Sequence, residues 1–158
     1  MSYTKNKTKP EQATKLLSKD FREIKELVKN YGVCKLSWRK DRNTHFASLV
    51  ETICHQQLAG KAARTIHGKV LIARGNVVTP ESLLEIEDID LRGAGLSQNK
   101  LLSMKSLTDH VLSKKLKLNR IGSYDDEEII NQLIQVRGIG RWSAQMFLMD
   151  KLQRIDIW

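Results

Sequence analysis

A chain of 158 residues has room for one compact domain and not comfortably for two. Its 27 Lys plus Arg outnumber 18 Asp plus Glu, and the resulting charge of +9 with a pI near 9.7 favours a polyanionic partner such as nucleic acid, a balance shared by ribosomal and membrane-surface proteins. Cys34 and Cys54 lack the second pair that a zinc or iron–sulfur spacing needs, and no stretch approaches the ~18 apolar residues that cross a bilayer, so a soluble, cytoplasmic protein with reduced thiols and no cofactor is expected.

The chain opens with a polar, basic tail over residues 1–14, and the remainder, 15–158, reads as a single domain. From Lys15 to Tyr31 the residues Leu16, Leu17, Phe21, Ile24, Leu27 and Val28 recur with a period near 3.6, and Gly32 stops the helix. Asn43 or Thr44 caps a second helix with Phe46, Leu49, Val50 and Ile53 on one face, running to Gln56 and Gln57. Gly60 punctuates; Ala62, Ala63, Ile66 and Val70 line a third helix up to Gly75, and Thr79-Pro80-Glu81 starts the next. After Gly93 and Gly95, Ser97 caps a long helix with Leu101, Met104 and Val111 inward. Ser123 or Asp125 caps another, with Ile129, Ile130, Leu133 and Ile134 on one side, and a last helix runs from Arg141 to Leu152. Period-2 alternation is confined to short charged runs such as Lys115 to Leu118, so the fold class is all-α, without a repeat of fixed length.

The most informative stretch is Leu133 to Phe147, LIQVRGIGRWSAQMF. A helix ends, Gly138-Ile139-Gly140 reverses the chain, and a second helix begins at Arg141. Glycines permit the tight reversal, Ile139 plugs the space between the helices, and the first N–H groups of the second helix point outward, where they and the helix dipole favour an anion. An ordinary helical hairpin would use glycines the same way. The following basic, aromatic and small hydroxyl residues, however, resemble the helix-hairpin-helix of DNA glycosylases. Phe46 to Ile66 (FASLVETICHQQLAGKAARTI), Gly95-Leu96-Ser97 with Lys100, and the ending Gln153-Arg154-Ile155-Asp156-Ile157-Trp158 add further matches. From about Phe21 to the last residue the chain resembles the DNA-3-methyladenine glycosylase II family, in that family's order.

The resemblance implies an all-helical helix-hairpin-helix fold that grips double-stranded DNA through phosphates, flips out a damaged nucleotide and hydrolyses its N-glycosyl bond in base-excision repair. It assigns Gly138, Gly140 and Ser143 to phosphate binding, with Arg141 adding charge. Ser97 and Lys100 stand either at another phosphate or at a solvated helix start. Trp142 stands where bifunctional relatives carry the lysine that forms a Schiff base, which implies a monofunctional enzyme using water; its indole would stack on a cationic alkylated purine, or else lie in the core. Met146, one turn on, shares the base pocket, where better-known members often have an aromatic. Gln56, Gln57 and Leu58 fall where the family fills the gap left by the flipped base, and the sequence does not choose among them. Trp38 and Phe46 read as core, and His45, His55, His67 and His110 show no ligand or triad spacing. The family's catalytic aspartate is expected beyond Trp158; Asp156 and Asp150 do not inherit its role. On this reading the chain is a truncated form, inactive alone, monomeric, and associated with the nucleoid if bacterial. The alternatives are a non-catalytic DNA-binding hairpin protein or a glycosylase for another damaged base.

Overall fold

The computed structural model describes residues 10–34, 43–57, 64, 65, 67, 68, 78–154 and 157. These residues contain helices and no strand, and they fall into two compact units, residues 1–40 and 41–158.

In the first unit, helix α1 spans Pro10–Asp20 and α2 spans Arg22–Tyr31. Helix therefore begins inside the segment expected to be a tail. Pro10 costs nothing at a first turn, because that turn has no partner for its N–H, and Glu11 complements the dipole there. The periodic stretch read as one helix is broken at Phe21, whose backbone is extended (φ −120, ψ 119). The 3.6 period survives a one-residue break, so the pattern could not show it. The Cys34 amide donates to Thr14 Oγ1 at 3.3 Å, which returns the end of α2 to the start of α1.

The second unit begins with α3, His45–His55, capped by Thr44, whose hydroxyl accepts from Ala47 N at 3.1 Å. Leu49, Val50, Ile53 and Cys54 on this helix are fully buried. Short helices α4 (Pro80–Leu84) and α5 (Asp88–Gly93) lead to the long α6 (Gln98–Leu112), and α4 opens with a reciprocal cap between Thr79 and Ser82. A 3-10 segment at Leu118–Ser123 precedes α7 (Asp126–Leu133) and α8 (Arg141–Asp150). Of the two candidate caps for α7 the structure uses Asp125, which exchanges hydrogen bonds with Glu128 at 2.8 and 3.0 Å. Helix α8 stops at Asp150 rather than Leu152, and Gln153 follows in the left-handed region (φ 56). Leu101, Met104 and Leu107 of α6 join Ile129, Ile130, Leu133, Phe147 and Leu148 in one core, whereas Ile134, expected inward, is 39% exposed because α7 has already ended.

Beyond α8 the chain is anchored by Arg154, which is only 3% exposed. Its guanidinium pairs with Asp126 Oδ1 at 2.7 Å and donates to the carbonyls of Gly122 and Tyr124 at 3.1 and 3.0 Å. Truncating one partner of a buried ion pair strands the other charge, so Arg154→Ala is expected to lower unfolding free energy by roughly 3–5 kcal/mol. Urea denaturation checks this: a loss below about 1 kcal/mol, the range of an exposed pair, would show that water reaches Asp126.

Candidate nucleic-acid interface

The turn between α7 and α8 is set down on one face of α6. Asn99, Ser103 and Ser106 lie at i, i+4 and i+7, a polar stripe along one side of the helix. Ser106 Oγ accepts the Arg137 backbone N–H at 3.1 Å. Gly138 has φ +79, and a Cβ there would sit 2.2 Å from Ser103 Oγ, itself held by the Asn99 carbonyl at 2.9 Å. Val136 and Ile139 are buried on either side, with the Ile139 N–H donating to the Val136 carbonyl at 3.1 Å. Ile139 is thus the plug that the sequence suggested.

Gly140 has a different reason to be there. It faces open space, carries ordinary extended backbone, and is the N-cap of α8 without a side chain to answer the first turn's N–H groups. Those donors, with the helix dipole behind them, form an anion-binding end. Ser143 in this first turn is 7% exposed. The carboxylate at the other end of the helix, Asp150, lies about 13 Å along the axis and does not share this end. Burial pushes its carboxyl up from the usual range.

Several expected site residues already have protein partners. Gln56 Nε2 donates to the Gly138 carbonyl at 2.7 Å and lies 3.4 Å from Ser143 Oγ, bracing the hairpin from the end of α3. Lys100 Nζ donates to the Cys54 carbonyl at 2.7 Å, capping the C-terminus of α3, and partial burial lowers its pKa. Ser97 is the N-cap of α6, accepting from Lys100 N at 3.4 Å. Arg141 forms a two-armed pair with Glu127, with one arm at 3.1 Å. The pairing with Glu127 raises the Arg141 pKa further.

Trp142 is 70% exposed, so the reading of it as a core residue is set aside, and Met146 is partly buried one turn on. Gln57 is exposed in the left-handed region at φ 55. Leu58 lies outside the described residues, as do Trp38, Asp156 and Trp158. Phe46 is in the core as expected. The Cys54 thiol, buried and pushed up to about 12, stays protonated and is no nucleophile. Among the described residues no three His, Cys, Asp or Glu side chains gather to hold a metal. Sequence reasoning missed the α6 stripe and the Gln56 brace; only the regular Asn99, Ser103, Ser106 spacing signalled the first.

Gly138→Ala combines a strained φ with a collision at Ser103. It is expected to cost more than the ~1 kcal/mol of an ordinary glycine replacement and to weaken duplex DNA binding, while Gly140→Ala, facing open space, leaves stability nearly unchanged. Parallel thermal unfolding and DNA titrations decide it; equal effects of the two changes would contradict the geometry.

No protein-family model matches the chain. DNA-3-methyladenine glycosylase 1 of Schizosaccharomyces pombe is 29% identical over 153 residues, covering 95% of this chain and 66% of the relative, so the chain spans about two thirds of that protein's length. The crystal structure of DNA-3-methyladenine glycosidase from Bacillus halodurans superposes with a TM-score of 0.80 at 33% identity, over 96% of this chain and 68% of that one. The Schizosaccharomyces pombe 3-methyladenine DNA glycosylase in complex with abasic DNA gives 0.81 at 29% identity, over 93% and 73%. With this identity and coverage, and with the hairpin built as described, the chain belongs to the DNA-3-methyladenine glycosylase family of helix-hairpin-helix proteins.

Proposed function

We propose that this protein is a monofunctional DNA N-glycosylase that removes alkylated purines such as 3-methyladenine from double-stranded DNA in base-excision repair. The observation that carries the reading is Trp142: an indole 70% exposed in the first turn of α8, beside unanswered N–H groups and without an amine. The N–H groups of α8 and the Ser143 hydroxyl hold phosphate. Trp142, with Met146 beside it on the same helix face, stacks on the flipped base, and a cationic purine gains cation–π attraction that a neutral one lacks. Gln56 is committed to the hairpin, which leaves exposed Gln57 as the side chain of the described pair that enters the gap in the duplex.

Bond cleavage builds positive charge on the sugar and calls for a nearby carboxylate. The carboxylates beginning α7 are committed: Asp125 and Glu128 to the cap, Asp126 to Arg154, Glu127 to Arg141. None of these four is therefore offered to the sugar.

Two measurements test this. Duplexes carrying a single 7-methylguanine, stabilised by 2′-fluorination, should bind more tightly than the same duplex with guanine, and Trp142→Ala should erase about tenfold of that preference. Retention of the preference by the variant would remove Trp142 from the pocket. Incubation with alkylated DNA in the presence of borohydride should trap no covalent adduct; an adduct would overturn the monofunctional reading.

A further inference from the structure

Of the basic side chains Lys100, Arg137 and Arg141, two are already used inside the protein. Lys100 spends its ammonium on the Cys54 carbonyl, and Arg141 is neutralised by Glu127. The third, Arg137, immediately precedes Gly138 and is exposed. Its backbone N–H is fixed by Ser106 Oγ at 3.1 Å, and its guanidinium Nη2 lies 3.4 Å from Asn99 Oδ1. Among the described residues it has no carboxylate partner.

A neutral amide oxygen orients a guanidinium without cancelling its charge, so Arg137 keeps the full positive charge that Arg141 shares with Glu127. Its backbone is held in place, with the amide bonded to Ser106 and the next residue set against Ser103.

We propose that Arg137, rather than Arg141, is the hairpin's phosphate-neutralising side chain, held ready by Asn99 and Ser106. The inference rests on the DNA-binding reading given above. It places the cation in the turn after α7, just ahead of Gly138, so that a DNA strand is met by a side-chain charge on one flank of the glycine turn and by backbone N–H groups of α8 on the other. The contact is to the backbone and adds affinity without sequence preference.

The test is the salt dependence of binding by the full 158-residue chain to a 20-base-pair duplex carrying one tetrahydrofuran abasic analogue. Each phosphate neutralised contributes about 0.9 to the slope of log K against log salt. Arg137→Gln is expected to lower the slope by about one and affinity about tenfold at 0.1 M salt, equally for damaged and undamaged duplexes. Arg137→Lys should restore most of the slope, and Arg141→Gln should lower it less than Arg137→Gln does. Thermal unfolding of the Gln and Lys variants should match the parent, since the guanidinium makes only the one long contact to Asn99. A parent slope with no change in Arg137→Gln, or the whole loss appearing in Arg141→Gln, overturns the assignment while leaving DNA binding intact. If the parent chain shows no salt-dependent binding, the functional reading falls and the assignment with it.

Discussion

At Gly138 the chain turns with φ +79 while its α-carbon rests against Ser103, and only a residue without a side chain satisfies both conditions. The rest of the interface follows from this close approach. With the turn pressed onto α6, Ser106 reaches the Arg137 amide and Gln56 reaches the Gly138 carbonyl. The start of α8 is then directed outward with its N–H groups unanswered. A turn lifted by the width of a methyl group would lose the backbone bonds to Ser106 and Gln56 together, each a neutral hydrogen bond worth about 1 kcal/mol, and with them the fixed direction of α8.

The sequence made the local features legible and hid the distant ones, for a physical reason. Thr44, Ser97 and Asp125 cap helices through bonds that span three residues, and the Gly138-Ile139-Gly140 reversal is a matter of backbone freedom, so the cause lies within the motif itself. Gln56 on the Gly138 carbonyl and Lys100 on the Cys54 carbonyl join positions far apart in the chain. A glutamine at a helix end, or a lysine one turn into a helix, has the same appearance whether it faces solvent or another helix. The break at Phe21 was hidden differently, because the apolar period continues across it, and Trp142 could be placed as core or surface only once the direction of α8 was known.

Charge is distributed in a way the overall +9 conceals. Residues 1–40 hold 11 Lys and Arg against 4 Asp and Glu, while 41–158 hold 16 against 14. The unit containing the hairpin is therefore close to neutral, and its affinity for a phosphate backbone cannot come from bulk positive charge. On the reading proposed above it would come from directed groups: the dipole and N–H groups at the start of α8, and Arg137, which has no carboxylate partner among the described residues. The Glu127 pair with Arg141 fits this economy, since it holds the neighbouring arginine in a fixed place rather than adding a second diffuse charge.

Directed groups alone would let the hairpin hold any duplex, and Trp142 is where selectivity enters. A tryptophan left 70% exposed keeps roughly 150 Å² of largely apolar surface in water, as the unfolded chain does, and a partner that covers it stands to gain on the order of 3–4 kcal/mol at 25 cal/mol per Å². A flat partner that covers the indole recovers much of that free energy, and a partner that is also cationic recovers more. If the same helix end holds phosphate, as proposed, the recovery is available only to a base whose own backbone is already gripped. Holding the strand and reading the base are in this way tied together by the first turn of α8.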